Sequence, residues 1–153
     1  MSANEIKKET PTNINDLVKM ASDKTNWRKR LEAIEELKKW DCQKSRDVLT
    51  RLAIHDLVFK VKEKALRATQ PFGIIKNGKP LKLNGKPKGN LIKDINKKLY
   101  KVDNAIKEEF ELIKFKEKFK QLYPEAYDVY EGDRGNSFDE WILNVLKNKP
   151  KNK

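Results

Sequence analysis

The sequence is poor in residues that form disulfides and catalytic sites. Its 153 residues include one cysteine, Cys42, and one histidine, His55. A single cysteine excludes an internal disulfide and is typical of a reducing compartment. Cys42 has no histidine near it in sequence to activate its thiol, and His55, beside Asp56, fits a helix end better than a catalytic base. The glycine spacing matches no nucleotide-binding fingerprint. We therefore expect a protein that is not an enzyme and uses no cofactor.

Long apolar runs are also missing. No charge-free run approaches the roughly 18 residues of a membrane-spanning helix. The first ten residues, MSANEIKKET, lack the apolar core of a signal peptide, so we expect a cytoplasmic protein. The basic segments lack the interleaved aromatic residues of an interfacial helix, so no membrane partner is predicted. The apolar content of 37% suffices for one hydrophobic core, or for one repeat stack with an appendage.

Acidic residues are nearly absent from one part of the chain. The net charge is +12, and residues 71–101 hold nine basic side chains and one acidic side chain, compared with 16 and 11 in residues 1–70. The stretch KNGKPLKLNGKPKG (76–89) contains five lysines and no acid. Mixed charges would keep a linker equally soluble. The excess of lysine therefore favours an anionic partner outside the chain.

The first seventy residues contain an internal repeat. An offset of 32 residues superposes LVKMA (17–21) on LTRLA (49–53). The match continues in the next helix, where the aligned pairs are Trp27 and Phe59, Arg30 and Lys62, Ala33 and Ala65, and Ile34 and Leu66. A fixed period of this size is typical of stacked helical hairpins. Apolar residues at three- and four-residue steps predict helices over 14–22, 26–40, 43–54 and 57–69.

These residues resemble the HEAT-repeat family of α-solenoids. WRKRLEAIEEL (27–37) has the basic residue, small alanine, aliphatic residue and leucine that are typical of a second repeat helix. HDLVFKVKEKAL (55–66) has a second version of this pattern, in which an aspartate is followed by valine with a basic residue and then by alanine with leucine. The resemblance covers about residues 14–70 and implies a short helical-hairpin stack. Members of the family mostly serve as protein scaffolds and some bind nucleic acid, so the fold does not decide the function. The HEAT-like DNA glycosylases contain many more repeats, and no catalytic residue is carried over from them.

Glycine and proline end the repeat array. They occupy positions 71, 73, 78, 80, 85, 87 and 89, where no helix persists. We predict a basic loop over 71–90. Asn77-Gly78 is the preferred pair of a type I′ turn, so a small hairpin over 74–83 is the second possibility, with Pro80 restricting it to an edge.

From residue 91 the pattern is helical again. The apolar residues Ile92, Ile95, Leu99, Val102 and Ile106 form a heptad seam. This seam predicts one long helix over 90–123, or two helices hinged near residues 103–104. It would form either a homodimer or a cap on the repeats. We favour the cap, because two repeats are fewer than the roughly three that stability requires.

The last segment, YPEAYDVYEGDRGNSFDEWILNVLK, predicts an acidic turn followed by a final helix. Ser137 and Glu140 have the spacing of a capping box at the start of that helix. The three clustered tyrosines, Tyr123, Tyr127 and Tyr130, are expected in a core rather than stacked on bases. The acidic side chains lack the alternation of a calcium loop, so no metal site is predicted.

The predicted organisation is all-α. It comprises a flexible N-terminus (1–13), a HEAT-like repeat pair (14–70), the basic loop (71–90), a C-terminal helical region (91–147) and a disordered basic tail (148–153).

Nucleic-acid binding is the leading functional hypothesis. The candidate residues are Lys76, Lys79, Lys82, Lys86 and Lys88 in the loop, and Arg28, Lys29, Lys60, Lys62 and Lys64 on the second repeat helices. Lysine acts as a point charge rather than a bidentate fork, so these residues suit phosphates and predict weak sequence preference, on DNA or RNA. The competing hypothesis is a scaffold whose repeat groove binds an acidic protein.

Overall fold

The computed structural model describes residues 6–82 and 90–150, and their fold is all-α, as predicted. The helices are α1 (Ile14–Ala21), α2 (Trp27–Leu37), α3 (Gln43–His55), α4 (Phe59–Thr69), α5 (Ile95–Ala105), α6 (Leu112–Leu122), α7 (Pro124–Arg134) and α8 (Phe138–Lys147). A β-hairpin of β1 (Ile75–Lys76) and β2 (Lys79–Pro80) follows α4, and a 3₁₀ turn (Gly135–Ser137) precedes α8. The chain divides into two compact units, Met1–Lys86 and Pro87–Lys153. No helix of the described ranges is long and apolar enough to cross a membrane.

The N-terminal unit contains two stacked helical hairpins. Helix α1 packs against α2 and α3 against α4, while α1 also adjoins α3 and α2 adjoins α4. The four predicted helices are confirmed, and α2 and α4 start 32 residues apart. Ala33 and Ala65, which the repeat aligns, are both fully buried. Stacking therefore buries the apolar face that each hairpin alone would expose.

A buried ion pair joins the two repeats. The Arg30 side chain is 4% exposed, and its Nε donates to the Asp56 carboxylate at 2.8 Å. Its Nη1 donates to the Asp23 carbonyl at 2.7 Å. Asp56 also accepts the N–H of Val58, at the start of α4. Arg30 thus connects the loop before α2 to the loop before α4.

The described part of the N-terminus is attached to the repeats. The Lys7 N–H donates to the Lys39 carbonyl at 2.9 Å, and the Asp41 N–H donates to the Lys7 carbonyl at 2.6 Å. Ile6 packs against the core of the unit. The sequence predicts a flexible segment over 1–13; within it, residues 6 and 7 contact the repeats through packing and backbone bonds that have no signature in the side-chain pattern.

The segment after α4 forms the hairpin that the sequence offered as its second possibility. Ile75 pairs with Pro80 and Lys76 with Lys79 in antiparallel register. The two turn residues, Asn77 and Gly78, have φ angles of 53° and 77°. A type I′ turn requires positive φ at both central positions, which asparagine and glycine adopt most easily. Residues 75–80 therefore form a hairpin rather than the predicted loop, because Asn77 and Gly78 favour the turn.

The C-terminal unit has a core rich in aromatic rings. Phe115 and Phe119 of α6 are fully buried, and Tyr130 of α7 is stacked on Trp141 of α8 with ring centroids 4.5 Å apart. The Tyr130 hydroxyl accepts the N–H of Ile92 at 3.1 Å. The expectation that this tyrosine belongs to a core is confirmed.

The heptad seam is buried inside the same unit. Ile95, Leu99 and Val102 have no exposed surface and pack among the aromatic residues. The sequence favours a cap on the repeats for this seam; in the structure the three residues instead complete the core of their own unit. They also leave no exposed apolar surface at these positions for the predicted dimer.

Four local predictions in this unit differ from what the structure shows. The long helix is two helices, with the break over residues 106–111 rather than at 103–104. The predicted acidic turn is helix α7, which starts at Pro124, a residue well suited to a first helical position. Ser137 does precede α8, but its hydroxyl donates to the Arg134 carbonyl and forms no capping bond. Residues 148–150 of the predicted disordered tail include Lys149, which contacts Asp103 at 2.9 Å.

Candidate functional site

The β-hairpin carries a cationic face and an apolar face. Residues directly opposite each other on an antiparallel ribbon share a face, with Cβ atoms about 5 Å apart. Lys76 and Lys79 therefore lie together on one face, and Ile75 and Pro80 lie on the other. All four residues are exposed. Because like charges directly opposite destabilise a ribbon, this arrangement does not serve the stability of the hairpin.

The hairpin lysines form no ion pair with the residues that the structure describes. Within the described residues of the N-terminal unit, the ion pairs involve other cations, and Lys76, Lys79 and Lys82 take part in none. All three residues are exposed. The other two predicted loop lysines, Lys86 and Lys88, lie outside the described residues. The charge of the three described lysines is therefore open to a ligand.

A groove of about 560 Å³ lies between α3 and β1, and we call it the hairpin groove. Its α3 wall is formed by Gln43, Arg46, Asp47, Thr50, Arg51, Ile54 and His55, and its other wall by Gly73, Ile74, Ile75 and Lys76. The groove thus combines apolar side chains with cations. His55 is at the end of α3, as the sequence predicts, and it lines the groove.

Arg46 fixes the wall that carries the hairpin. Its Nε donates to Asp41 at 2.6 Å, and its Nη2 donates to Asp41 at 3.0 Å and to the Phe72 carbonyl at 3.2 Å. The hydrogen bond from Arg46 lowers the pKa of the Asp41 carboxyl below its usual range. The Phe72 side chain is buried in the core. Arg46 therefore ties the base of the hairpin to α3, and its own charge is already compensated.

The remaining charges of the hairpin groove favour an anion. Arg51 is exposed and donates to the neutral Ser22 hydroxyl at 3.0 Å. Asp47 accepts a hydrogen bond from the Gln43 amide at 2.8 Å. Among the described lining residues, the two cations Arg51 and Lys76 thus outnumber the single carboxylate, Asp47. Lys79 lies across the ribbon from Lys76 and adds to the positive charge.

Several of the cations predicted on the second repeat helices contact side chains of their own unit, unlike the hairpin lysines. Lys64 pairs with Glu35 at 2.8 Å, and its hydrogen bond, with a further contribution from Lys38, lowers the pKa of Glu35. Arg28 and Lys60 lie 4.4 and 5.1 Å from the ring centroid of Trp27, within the range of cation–π attraction. The two other predicted cations are Lys29, which is exposed, and Lys62, which is half-buried.

The structure places the two predicted sets of cations against different helices. Lys76 of the hairpin lines a groove against α3, a first repeat helix, whereas the other five predicted residues lie on α2 and α4. A second groove, of about 510 Å³, separates α2 from α4, and we call it the repeat-helix groove. Its lining includes Lys38, Lys60, Lys64 and Arg67, together with the carboxylates Glu35 and Glu63.

Sequence reasoning missed two groups of cations. Arg51 was overlooked because it lies on a first repeat helix, although the 32-residue offset aligns it with Lys19, which is also basic and exposed. That recurrence was a usable signal. Helix α5 of the C-terminal unit exposes Lys97 and Lys101 one turn apart, and Lys93 is exposed just before it.

Comparison with known proteins adds no family. No protein-family model matches this chain, and no curated protein or solved structure has significant similarity to it. The resemblance to HEAT repeats therefore stays a prediction from the sequence.

Proposed function

We propose that the N-terminal unit is a non-enzymatic module that binds nucleic acid through its phosphate backbone. The observation that carries this proposal is the opposed pair of Lys76 and Lys79, which are exposed and have no carboxylate partner in the part of the chain that the structure describes. Phosphate groups would relieve the repulsion between these two lysines. A HEAT-like stack would serve as the rigid support, and the single cysteine fits a cytoplasmic location.

The chemistry of lysine defines the expected mode of binding. An ammonium group contacts phosphate oxygens without the paired geometry by which arginine reads guanine, so affinity should depend little on base sequence. Each neutralised phosphate releases condensed counterions. The logarithm of affinity should therefore fall with the logarithm of salt concentration, by about 0.7 for each contact on single strands and about 0.9 on duplex DNA.

A salt titration tests the proposal. Binding of labelled single-stranded and duplex oligonucleotides is measured by fluorescence anisotropy over a range of salt concentrations. If four to six lysines contact phosphates, the slope should be about −4 to −5 on duplex DNA and about −3 to −4 on single strands. Replacing all five loop lysines with glutamine should abolish binding and leave the helical circular dichroism unchanged. A slope indistinguishable from zero would contradict the proposal.

An acidic protein partner is the second candidate, and the repeat-helix groove favours it. This groove has apolar side chains, among them Leu31 and Ala68, beneath four cations, which suits a peptide that carries both apolar and acidic groups. Pull-down with and without nuclease separates the two candidates. A protein partner that remains bound after nuclease digestion supports the scaffold, and one that is lost supports nucleic-acid binding.

A further inference from the structure

We infer that the hairpin groove takes a single strand of nucleic acid, with Arg51 and Lys76 on phosphates and with Ile54 and Ile75 against sugars and bases. This inference rests on the proposed function and names its ligand class. Its basis is that cations and apolar side chains share one groove. Ile75 is 62% exposed and Ile54 is half-buried, and both line the groove beside Arg51 and Lys76.

Exposed apolar side chains distinguish a single strand from a duplex. In a duplex the faces of the bases are stacked on one another, and mainly phosphates and groove edges are accessible to a protein. A single strand exposes its base faces, which gain free energy on contact with apolar side chains, while its phosphates follow a basic groove. Ile75 and Lys76 come from opposite faces of the ribbon and both line the groove, so the groove meets both requirements at once. The described lining of the groove contains no Phe, Tyr or Trp, so base preference should be weak.

Asp47 provides a way to locate the ligand. Its carboxylate lines the hairpin groove, where the hydrogen bond from Gln43 leaves its negative charge in place. A phosphate chain in the groove would be repelled by this carboxylate. Removing the charge should therefore tighten binding. A variant that failed to fold would instead bind more weakly, so the two effects can be told apart. Glu32 on α2 is a matched control, because it is exposed and lies outside the lining of the groove.

The test uses the full chain with labelled oligothymidylate, oligouridylate, a duplex of equal length and polyglutamate. Asp47→Asn should tighten binding of both single strands about threefold, the effect of one partly screened charge a few Å from a phosphate. Glu32→Gln should change it by less than half as much. Ile75→Ser should weaken single-strand binding about threefold to fivefold through lost apolar contact, and leave duplex binding unchanged. A preference for oligouridylate would indicate RNA, within the same ligand class.

Each contrary result overturns the inference. Equal tightening by Asp47→Asn and Glu32→Gln would show that the effect is not local to the groove. An Ile75→Ser variant that lowers duplex and single-strand affinity equally, or neither, would exclude a single strand on the apolar wall. Tighter binding of polyglutamate than of any oligonucleotide would favour the acidic partner. The proposed function survives the first two results if the lysine variants still lose affinity, and it fails with the inference if no oligonucleotide binds.

Discussion

The β-hairpin of the N-terminal unit and helix α6 of the C-terminal unit differ in what happens to their lysines. In the C-terminal unit, Lys114 contacts Glu108 at 3.1 Å, and Lys116 contacts Asp139 at 2.8 Å. The hydrogen bond with Asp139 raises the pKa of Lys116. In the N-terminal unit, Lys76 and Lys79 face each other, and neither forms an ion pair within the described residues. A lysine-rich segment is therefore a candidate binding surface only where the fold leaves its charge uncompensated.

The two cores differ as well. The N-terminal core is mainly aliphatic and alanine-rich, and its positions recur at the 32-residue offset. The C-terminal core joins rings from three helices, such as Phe119 and Tyr127, whose centroids are 5.3 Å apart in an edge-to-face arrangement. A periodic core suits a stack of similar hairpins. An aromatic core is filled by a few large side chains, so single substitutions in it should have larger effects.

The largest effect is expected in the aromatic core. Phe119→Ala should lower the free energy of unfolding by about 3–5 kcal/mol, because it removes a fully buried ring and leaves a cavity. Phe110→Ala is the matched control, since that ring is 42% exposed. Urea denaturation followed by near-ultraviolet circular dichroism measures both. Equal losses in the two variants would contradict the described packing of α6.

Breaking the buried ion pair of the N-terminal unit should have the second largest effect on stability. Arg30→Met keeps an apolar stem but leaves the Asp56 carboxylate buried without this cation, at a cost of about 3 kcal/mol. Arg67→Met removes an exposed cation that pairs weakly with Glu63 at 3.5 Å, and it should cost less than about 0.5 kcal/mol. Hydrogen exchange of amides in residues 6–82 provides the measurement. Similar protection in the two variants would show that Arg30 does not join the repeats.

The comparison of lysines is tested by two double variants of equal charge. Lys76→Gln with Lys79→Gln should weaken nucleic-acid binding about tenfold and reduce the magnitude of the salt slope by about 1.5, the loss of two phosphate contacts. Lys97→Gln with Lys101→Gln removes the same charge from α5 and should have a much smaller effect. Anisotropy titrations at several salt concentrations decide between them. If the α5 variant loses as much affinity as the hairpin variant, net charge rather than the hairpin is responsible.

The smallest effect concerns acid stability. The bond from Arg46 lowers the folded-state pKa of Asp41, so the pair contributes stability above the unfolded-state value of about 3.9. That contribution is lost as pH falls through the lower folded-state pKa. Arg46→Gln should therefore cost at most about 1 kcal/mol at pH 7 and less at pH 3. Thermal denaturation at both pH values measures this, and a loss that grows in acid would contradict it.

Periodic features of the fold were predictable. Apolar steps of three and four residues predicted α1 to α4, because one face of each helix is buried in the stack. The second-choice hairpin also had a local signal, since Asn77 and Gly78 favour a type I′ turn by themselves. Helix α7 was missed, because its apolar residues are interrupted by acidic residues and by Gly132, and packing on α6 and α8 stabilises it.

Of the candidate site, the lysines were predictable from the sequence and their neighbours on α3 were not. The loop lysines stood out by charge, but their relation to Arg51, Asp47 and Ile54 depends on where the hairpin meets α3. Ser137 illustrates the opposite case. Its spacing to Glu140 was right for a capping box, yet the 3₁₀ turn before α8 directs the hydroxyl to a carbonyl.

The amino-acid order by itself determined the all-α class, the repeated hairpins, the turn at Asn77-Gly78 and the concentration of lysine, since each follows from spacing or charge within a few residues. Only the tertiary structure decided which cations meet a carboxylate and which line a groove with apolar side chains. Those relations join residues far apart in sequence, such as Arg30 with Asp56 and Arg51 with Lys76. Ion pairing acts over a few Å, and no local pattern specifies which distant side chains come that close.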